Sequence, residues 1–170
     1  NEPMPGLMCQ WARGELTAQE FLDTILNSHK EIQEFFISQE EKNLVLGTLT
    51  VFKPDVICKI QRPITKMVAF FQECCKCFPD QIYILSNWDR ESADLIRKAY
   101  PQIFDQIKAD HIIFSSDIGK LKPEADIFNY VTEKMNLAPQ KCILIDDIPE
   151  NIRVAKSLKW RTILHKDTDR

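Results

Sequence analysis

The sequence has little of what marks fibrous, membrane-spanning or polyanion-binding chains. Its 170 residues include only 4 glycines and 9 prolines, and no heptad or fixed-period repeat appears. No apolar run approaches the ~20 residues that a membrane helix needs. A net charge of −3 and a pI near 5.7 supply no broad positive field for nucleic acid. We therefore expect a globular cytoplasmic protein whose partner is neither nucleic acid nor a membrane.

The 6 cysteines do not indicate a disulfide framework, because an acidic chain of this length folds without one. Cys74 and Cys77 have the C-x-x-C spacing that occurs in metal and redox sites. A zinc site needs a second pair of ligands, and no such pair stands out in the sequence. Packing near the end of a helix explains the two cysteines as well, so both interpretations stay open.

The N-terminal third of the chain is helical in its patterning. Thr17 and Glu20 form a capping box before an apolar stripe that begins at Phe21. Two further helices are predicted at 31–37 and 40–49. No strand alternates convincingly before residue 60, and the segment between Pro54 and Pro63 is predicted to be a linker.

After Pro63 the pattern changes to helices that alternate with short, wholly apolar runs. The predicted helices cover residues 64–77, 92–100, 124–135 and 150–158, and the predicted strands cover 81–85, 111–114, 142–145 and 161–164. Continuous apolar runs between helices are typical of parallel strands that are covered on both faces. We predict an α/β fold: a doubly wound parallel sheet over 61–170, with a small all-helical lobe and linker over 1–60.

Polar residues follow the predicted strands, at the sheet edge where α/β proteins bind ligands. The segments at these strand ends are Ser86–Asp89, Ser115–Asp117, Gly119–Pro123 and Asp146–Asn151. Taken singly, each has an ordinary explanation: Ser86 or Asn87 could cap a helix, and Lys122 could be a solvated loop lysine. The adjacent carboxylates of Asp146 and Asp147 are harder to explain, because they repel each other unless a cation or fixed donors stabilise them.

The order and spacing of these segments resemble a known family. The strings Tyr83-Ile-Leu-Ser-Asn-Trp-Asp89, Gly119-Lys-Leu-Lys-Pro-Glu-Ala-Asp-Ile-Phe128 and Cys142-Ile-Leu-Ile-Asp-Asp-Ile-Pro-Glu-Asn151 resemble motifs two, three and four of the haloacid dehalogenase superfamily. The stretch from Arg13 to Phe21 is similar to the small helical cap that one branch of the family carries. In such a cap, Trp11 and Arg13 could face substrate, although packing or exposure to solvent explains them better.

The resemblance implies phosphoryl transfer through an aspartyl-phosphate. Ser86 would hydrogen-bond a phosphoryl oxygen, and Lys122 would hold the phosphoryl group and the nucleophile by its charge. Asp147, with Asp146, would bind Mg²⁺, and Asn87 and Asn151 would be supporting polar groups. The substrate would be a small phosphorylated metabolite. The acid pair argues against the metal-independent dehalogenases of the family.

The family's first motif, an apolar strand that ends in D-x-D and supplies the nucleophile, has no counterpart in the expected place. The only D-x-D is Asp167-Thr168-Asp169, which follows the fourth motif. We favour a segment before Asn1 that carries the central strand, so the 170 residues alone should be inactive. The alternatives are an inactive binding or scaffold protein, and completion by another chain or by self-association. A receiver-like signalling domain fits less well, because its acids come first in the chain.

Overall fold

The N-terminal part of the protein is a set of helices. A computed structural model describes residues 6–30 and 38–166. The first four helices are α1 (Gly6–Ala12), α2 (Ala18–Lys30), α3 (Gln39–Thr50) and α4 (Pro54–Ile60). The helix predicted over 31–37 lies outside the described residues. Among the described residues before 60 the structure has no strand, in agreement with the sequence pattern.

The starts of these helices follow from local side-chain chemistry. The Thr17 amide donates to Glu20 Oε2 at 2.8 Å and the Glu20 amide donates to Thr17 Oγ1 at 3.1 Å, which confirms the predicted capping box. Ser38 caps α3 in the same way through Glu41. The linker prediction was wrong over most of its length, because α4 begins at Pro54. A proline fits the first turn of a helix, where its missing N–H has no partner to lose.

The N-terminal helices α1–α4, called the helical lobe below, enclose an aromatic core. The ring of Phe21, 1% exposed, stacks on Trp11 with centroids 4.6 Å apart and meets Phe52 edge-on at 5.6 Å. Ala18 and Leu22 complete the buried cluster. The capping box sets where α2 begins. It therefore also sets which side of the helix carries Phe21 and Leu22, and that side packs into this core.

The chain divides into two compact units, 1–119 and 120–170. Beyond α4, the first unit contains α5 (Thr65–Cys77), β1 (Ile84–Ser86), α6 (Arg90–Ala99), α7 (Pro101–Phe104), β2 (Ile112–Phe114) and α8 (Ser115–Ile118), with a 3-10 turn at Ala109–His111. Strands β1 and β2 pair in parallel, with Ser86 opposite Phe114. The polar segments that follow the two strands therefore leave the sheet side by side.

The second unit is a parallel strand pair with two helices. It contains α9 (Ala125–Met135), β3 (Ile143–Asp146), α10 (Pro149–Ser157) and β4 (Arg161–Leu164), with a 3-10 turn at Pro139–Lys141. In the parallel register Asp146 lies opposite Leu164. Phe128, fully buried on α9, packs edge-on against Trp160 with centroids 5.6 Å apart.

The class predicted from the sequence, α/β with parallel strands, is confirmed, and each predicted strand after residue 63 is present within a few residues of its expected bounds. In the part of the chain that the structure describes, β1 pairs with β2 alone and β3 with β4 alone. The division into a helical lobe over 1–60 and a core over 61–170 stays a prediction. Over the described residues, no helix has the length and apolarity to cross a membrane.

Candidate functional site

The second unit holds a buried ion pair where β3 ends. The ammonium of Lys122 lies 2.6 Å from Oδ2 of Asp146, and the two side chains are 10% and 4% exposed. Lys122 comes from the loop before α9, whereas Asp146 is the last residue of β3. This exclusion from water sets Lys122 apart from a solvated loop lysine, because a charge this far from water is retained only with a partner.

The second oxygen of Asp146 is also occupied. Its Oδ1 accepts hydrogen bonds from the Ile148 amide and from Asn151 Nδ2, both at 2.9 Å. Asn151 is 2% exposed and lies in the first turns of α10. The structure thus brings together Lys122, Asp146 and Asn151, three of the residues that the sequence singled out. Their bonds fix the Asp146 carboxylate in one orientation.

Asp147 is in a different environment from its neighbour. Its side chain is exposed, and within the described ranges its carboxylate makes no hydrogen bond or ion pair. No group of three or more acidic, histidine or cysteine side chains that could hold a metal by itself occurs in those ranges either. Mg²⁺ needs no such cage, because it keeps several waters and binds one or two carboxylates together with phosphate. Asp147 is therefore the acid whose oxygens are available to a hard cation, whereas Asp146 already has donors on both of its oxygens.

In the first unit, Ser86 is the last residue of β1 and is half-buried, as is Asn87. Neither residue caps the helix that follows. Asp89 does so, since its Oδ1 accepts from the Ser92 amide at 2.9 Å. The helix-cap explanation of Ser86 and Asn87 is thus wrong. An aspartate at the start of a helix was the available signal for the correct cap.

Asp89 supplies a pH-dependent contribution to stability. Its side chain is almost fully buried, and this desolvation raises the pKa of the carboxyl above its ordinary 3.8, although the Ser92 hydrogen bonds oppose the shift. The fold therefore favours the protonated acid. Its contribution to stability is complete below pH 3.8 and is lost as the pH rises through the raised pKa.

We expect Asp89→Asn to remove this dependence, because asparagine keeps the capping oxygen and carries no charge. The difference in the free energy of unfolding, variant minus wild type, should increase as the pH is raised from 3.5 to 7. Urea titrations across that range measure it. Asp94→Asn, at an exposed position of the same helix, is the control and should follow the wild-type pH profile. A constant difference between Asp89→Asn and the wild type would contradict the assignment.

The two residues of the helical lobe that the sequence singled out have different surroundings. Trp11 is 6% exposed and its ring lies in the aromatic core of the lobe, so that ring is not available to a substrate. Arg13 is half-buried in the turn after α1. Sequence reasoning noted Ser115 among the polar residues after β2 without singling it out. Its contacts reach Ala12 and Trp88, and no local pattern predicts contacts that distant.

In parallel α/β folds ligands bind at the carboxyl ends of the strands, and the Lys122–Asp146 pair lies at such an end. The family profile of the haloacid dehalogenase-like hydrolases matches residues 66–159. The chain belongs to this family.

The similar proteins include mammalian and bacterial enzymes. Bifunctional epoxide hydrolase 2 of Rattus norvegicus is 27% identical over 111 residues, which is 64% of this chain and 19% of the rat protein. The Mus musculus protein of the same name is 25% identical over 87 residues, 50% of this chain and 15% of its own. The chain therefore spans about a fifth or less of these curated relatives.

Solved structures of the same family share the fold. A family enzyme of Bacteroides thetaiotaomicron, in complex with magnesium and inorganic phosphate, is 21% identical with a TM-score of 0.69, over 99% of this chain and 78% of that one. A predicted hydrolase of Porphyromonas gingivalis is 19% identical with a TM-score of 0.65, over 97% and 74%. At these identities the likeness establishes the fold.

Proposed function

We propose that this chain forms part of a Mg²⁺-dependent phosphatase that acts on small phosphorylated metabolites. The observation that carries the proposal is the Lys122–Asp146 pair, buried at a strand end and directly followed by the exposed carboxylate of Asp147. A fixed positive charge beside a cation ligand suits the transfer of a phosphoryl group, whose transition state gathers negative charge on oxygen. The bacterial relative that was crystallised with magnesium and phosphate supports this chemistry.

Each residue of the site has a role in the proposal. Lys122 neutralises charge on the phosphoryl group and holds the nucleophile, and Asp146 with Asn151 keeps the lysine ammonium in place. Asp147 would hold Mg²⁺, which when bound would neutralise the negative charge of the phosphoryl group. Ser86 donates its hydroxyl to a phosphoryl oxygen, and Asn87 supports it. The roles of Ser86 and Asn87 rest on the family resemblance.

The nucleophilic aspartate belongs, in this proposal, to a strand outside residues 1–170. The D-x-D at 167–169 lies outside the described residues. Support comes from the sheets: in the described part of the chain β1 and β3 each pair with a single strand, and Ile143 and Ile145 of β3 are 46% and 39% exposed. A further segment of the protein, or another chain, would cover apolar surface of this kind. The cytoplasmic location stays a prediction from the sequence.

We expect Asp147→Asn to raise the Mg²⁺ concentration for half-maximal activity by roughly 10- to 100-fold or to abolish turnover, since even indirect support of a metal contributes this much. The assay uses the full-length gene product with an aryl phosphate and Mg²⁺. Glu150→Gln is the matched control, because that nearby carboxylate is bound to Arg153 at 2.8 Å. The control should keep the wild-type dependence on Mg²⁺.

Three results would contradict the proposed function. They are a full-length protein without turnover, turnover that does not depend on Mg²⁺, and an Asp147→Asn variant with the wild-type dependence. The 170-residue chain alone is expected to form no phosphoenzyme, so its covalent labelling by a phosphate donor would contradict the placement of the nucleophile.

A further inference from the structure

Ser115 connects the loop after β1 to the helical lobe through a single hydroxyl. It is the first residue after β2 and is fully buried. Its Oγ lies 2.6 Å from the Ala12 carbonyl oxygen, at the end of α1, and 2.9 Å from the Trp88 amide nitrogen. We propose that Ser115 is a positioning residue, which holds the loop Ser86–Trp88 in the geometry that phosphate binding requires. This inference rests on the proposed role of Ser86.

The distances at Ser115 show which hydrogen bond its hydroxyl donates and which it accepts. A serine hydroxyl has one proton to donate and can accept through its lone pairs. The short contact to the Ala12 carbonyl takes that proton, because the alternative acceptor, the Trp88 carbonyl, is farther away at 3.2 Å. The Trp88 amide then donates to the same oxygen. One fully buried hydroxyl thus satisfies a carbonyl at the end of α1 and an amide in the loop.

The turn after α1 is held close to the residue next to Ser115. Gly14 has a φ of +73°, and a Cβ at that position would meet the Cβ and carbonyl oxygen of Ser116 at 3.0 Å. The same carbonyl accepts from the Arg90 guanidinium at 2.8 Å. The close approach requires glycine, since neither the backbone conformation nor the space suits a larger residue. The Ala12 carbonyl is consequently presented to Ser115 from a fixed position.

The loop Ser86–Trp88 is therefore fixed at both of its ends. Ser86 pairs with Phe114 in the parallel register, and Trp88, two residues later, is bound by the residue that directly follows Phe114. The Ser115 bond thus fixes the backbone within two residues of Ser86, and its loss would free that backbone and with it the proposed position of the Ser86 hydroxyl. Misplacement of a substrate-binding group by about 1 Å can reduce the rate ~100-fold without removing any group that contacts substrate.

The test compares Ser115→Ala with Ser116→Ala in the full-length protein. Ser116 is the matched control: it is adjacent, 2% exposed, and its hydroxyl has no hydrogen-bond partner among the described residues. In Ser115→Ala we expect hydrogen exchange at the Trp88 amide to accelerate about tenfold or more. With an aryl phosphate and Mg²⁺, kcat should fall roughly 10- to 100-fold while KM changes less than about threefold. In Ser116→Ala, exchange and kinetics should match the wild type.

The outcomes separate this proposal from the proposed function. If the Trp88 amide is equally protected in Ser115→Ala and the wild type, or if faster exchange leaves kcat unchanged in an active enzyme, the positioning role is overturned. An equal fall in kcat for Ser116→Ala would also overturn it, because general disturbance of this buried region would then explain both. A wild type that lacks turnover contradicts the proposed function, and exchange at Trp88 then decides alone whether Ser115 holds the loop.

Discussion

Replacing Lys122 by methionine is expected to lower the free energy of unfolding by about 3–5 kcal/mol. The side chain of Asp146 is 4% exposed, so removal of the ammonium at 2.6 Å leaves a carboxylate that water cannot reach. The hydrogen bonds from the Ile148 amide and Asn151 remain, but neither donor carries a charge. Urea denaturation followed by far-ultraviolet circular dichroism measures the loss.

Lys120 provides a matched control two residues away. Its ammonium pairs with Asp126 at 3.1 Å, but the two side chains are 33% and 54% exposed. Solvent screens such a pair, so Lys120→Met should cost less than about 1 kcal/mol. If the two lysine variants lose the same stability, burial is not what makes the Lys122–Asp146 pair important.

A double variant separates stability from chemistry at this site. Lys122→Met/Asp146→Asn removes both charges and keeps an oxygen that accepts from the Ile148 amide and from Asn151. We expect it to recover most of the stability lost in Lys122→Met, since no buried charge is left unpaired. Phosphatase activity should not return, because the proposed mechanism needs the lysine charge at the phosphoryl group. Recovery of both would contradict the catalytic role of Lys122.

Short-range patterns explain what the sequence could predict. The capping box at Thr17 and Glu20 involves residues three positions apart, and each apolar run after Pro63 is long enough to specify a strand. The sequence also predicts that Lys122 and Asp146 lie close together. Both follow predicted strands, and the carboxyl ends of parallel strands meet at one edge of the sheet. By contrast, the sequence pattern does not predict α4, because Pro54 is as compatible with a break as with the helix start that it forms.

Long-range contacts and solvent access explain what the sequence could not predict. The sequence does not distinguish Asp146 from Asp147, which are chemically identical neighbours. The difference arises because Asp146, the last residue of β3, meets Lys122 and Asn151, whereas Asp147 lies in the bend after the strand and meets solvent. In the same way, the contact of Ser115 with Ala12 joins residues that are far apart in the chain. Tertiary packing decides which polar residue becomes buried, and local sequence propensity does not predict it.

The helical lobe provides the second large effect. Phe21→Ala is expected to lower the free energy of unfolding by about 3–5 kcal/mol, because the ring is 1% exposed, stacks on Trp11 and meets Phe52 edge-on. Phe70→Ala makes the same chemical change at a position of α5 that is 48% exposed, and it should cost less than about 1 kcal/mol. Equal losses would show that the aromatic core of the lobe contributes no more than a surface ring.

The urea unfolding curve of Phe21→Ala also shows whether the helical lobe unfolds together with β1–β2. The lobe is tied to the rest of the first unit by the Ser115–Ala12 bond and by the Ala18 amide, which donates to Glu91 at 2.8 Å. If these hydrogen bonds make the lobe and β1–β2 unfold as one cooperative unit, the urea midpoints measured by fluorescence and by circular dichroism should fall by the same amount. In a Trp88→Phe/Trp160→Phe background Trp11 is the remaining tryptophan, and there an early fluorescence transition would mean that the lobe unfolds separately. The bonds of Ala12 and Ala18 would then be too weak to couple the lobe to β1–β2.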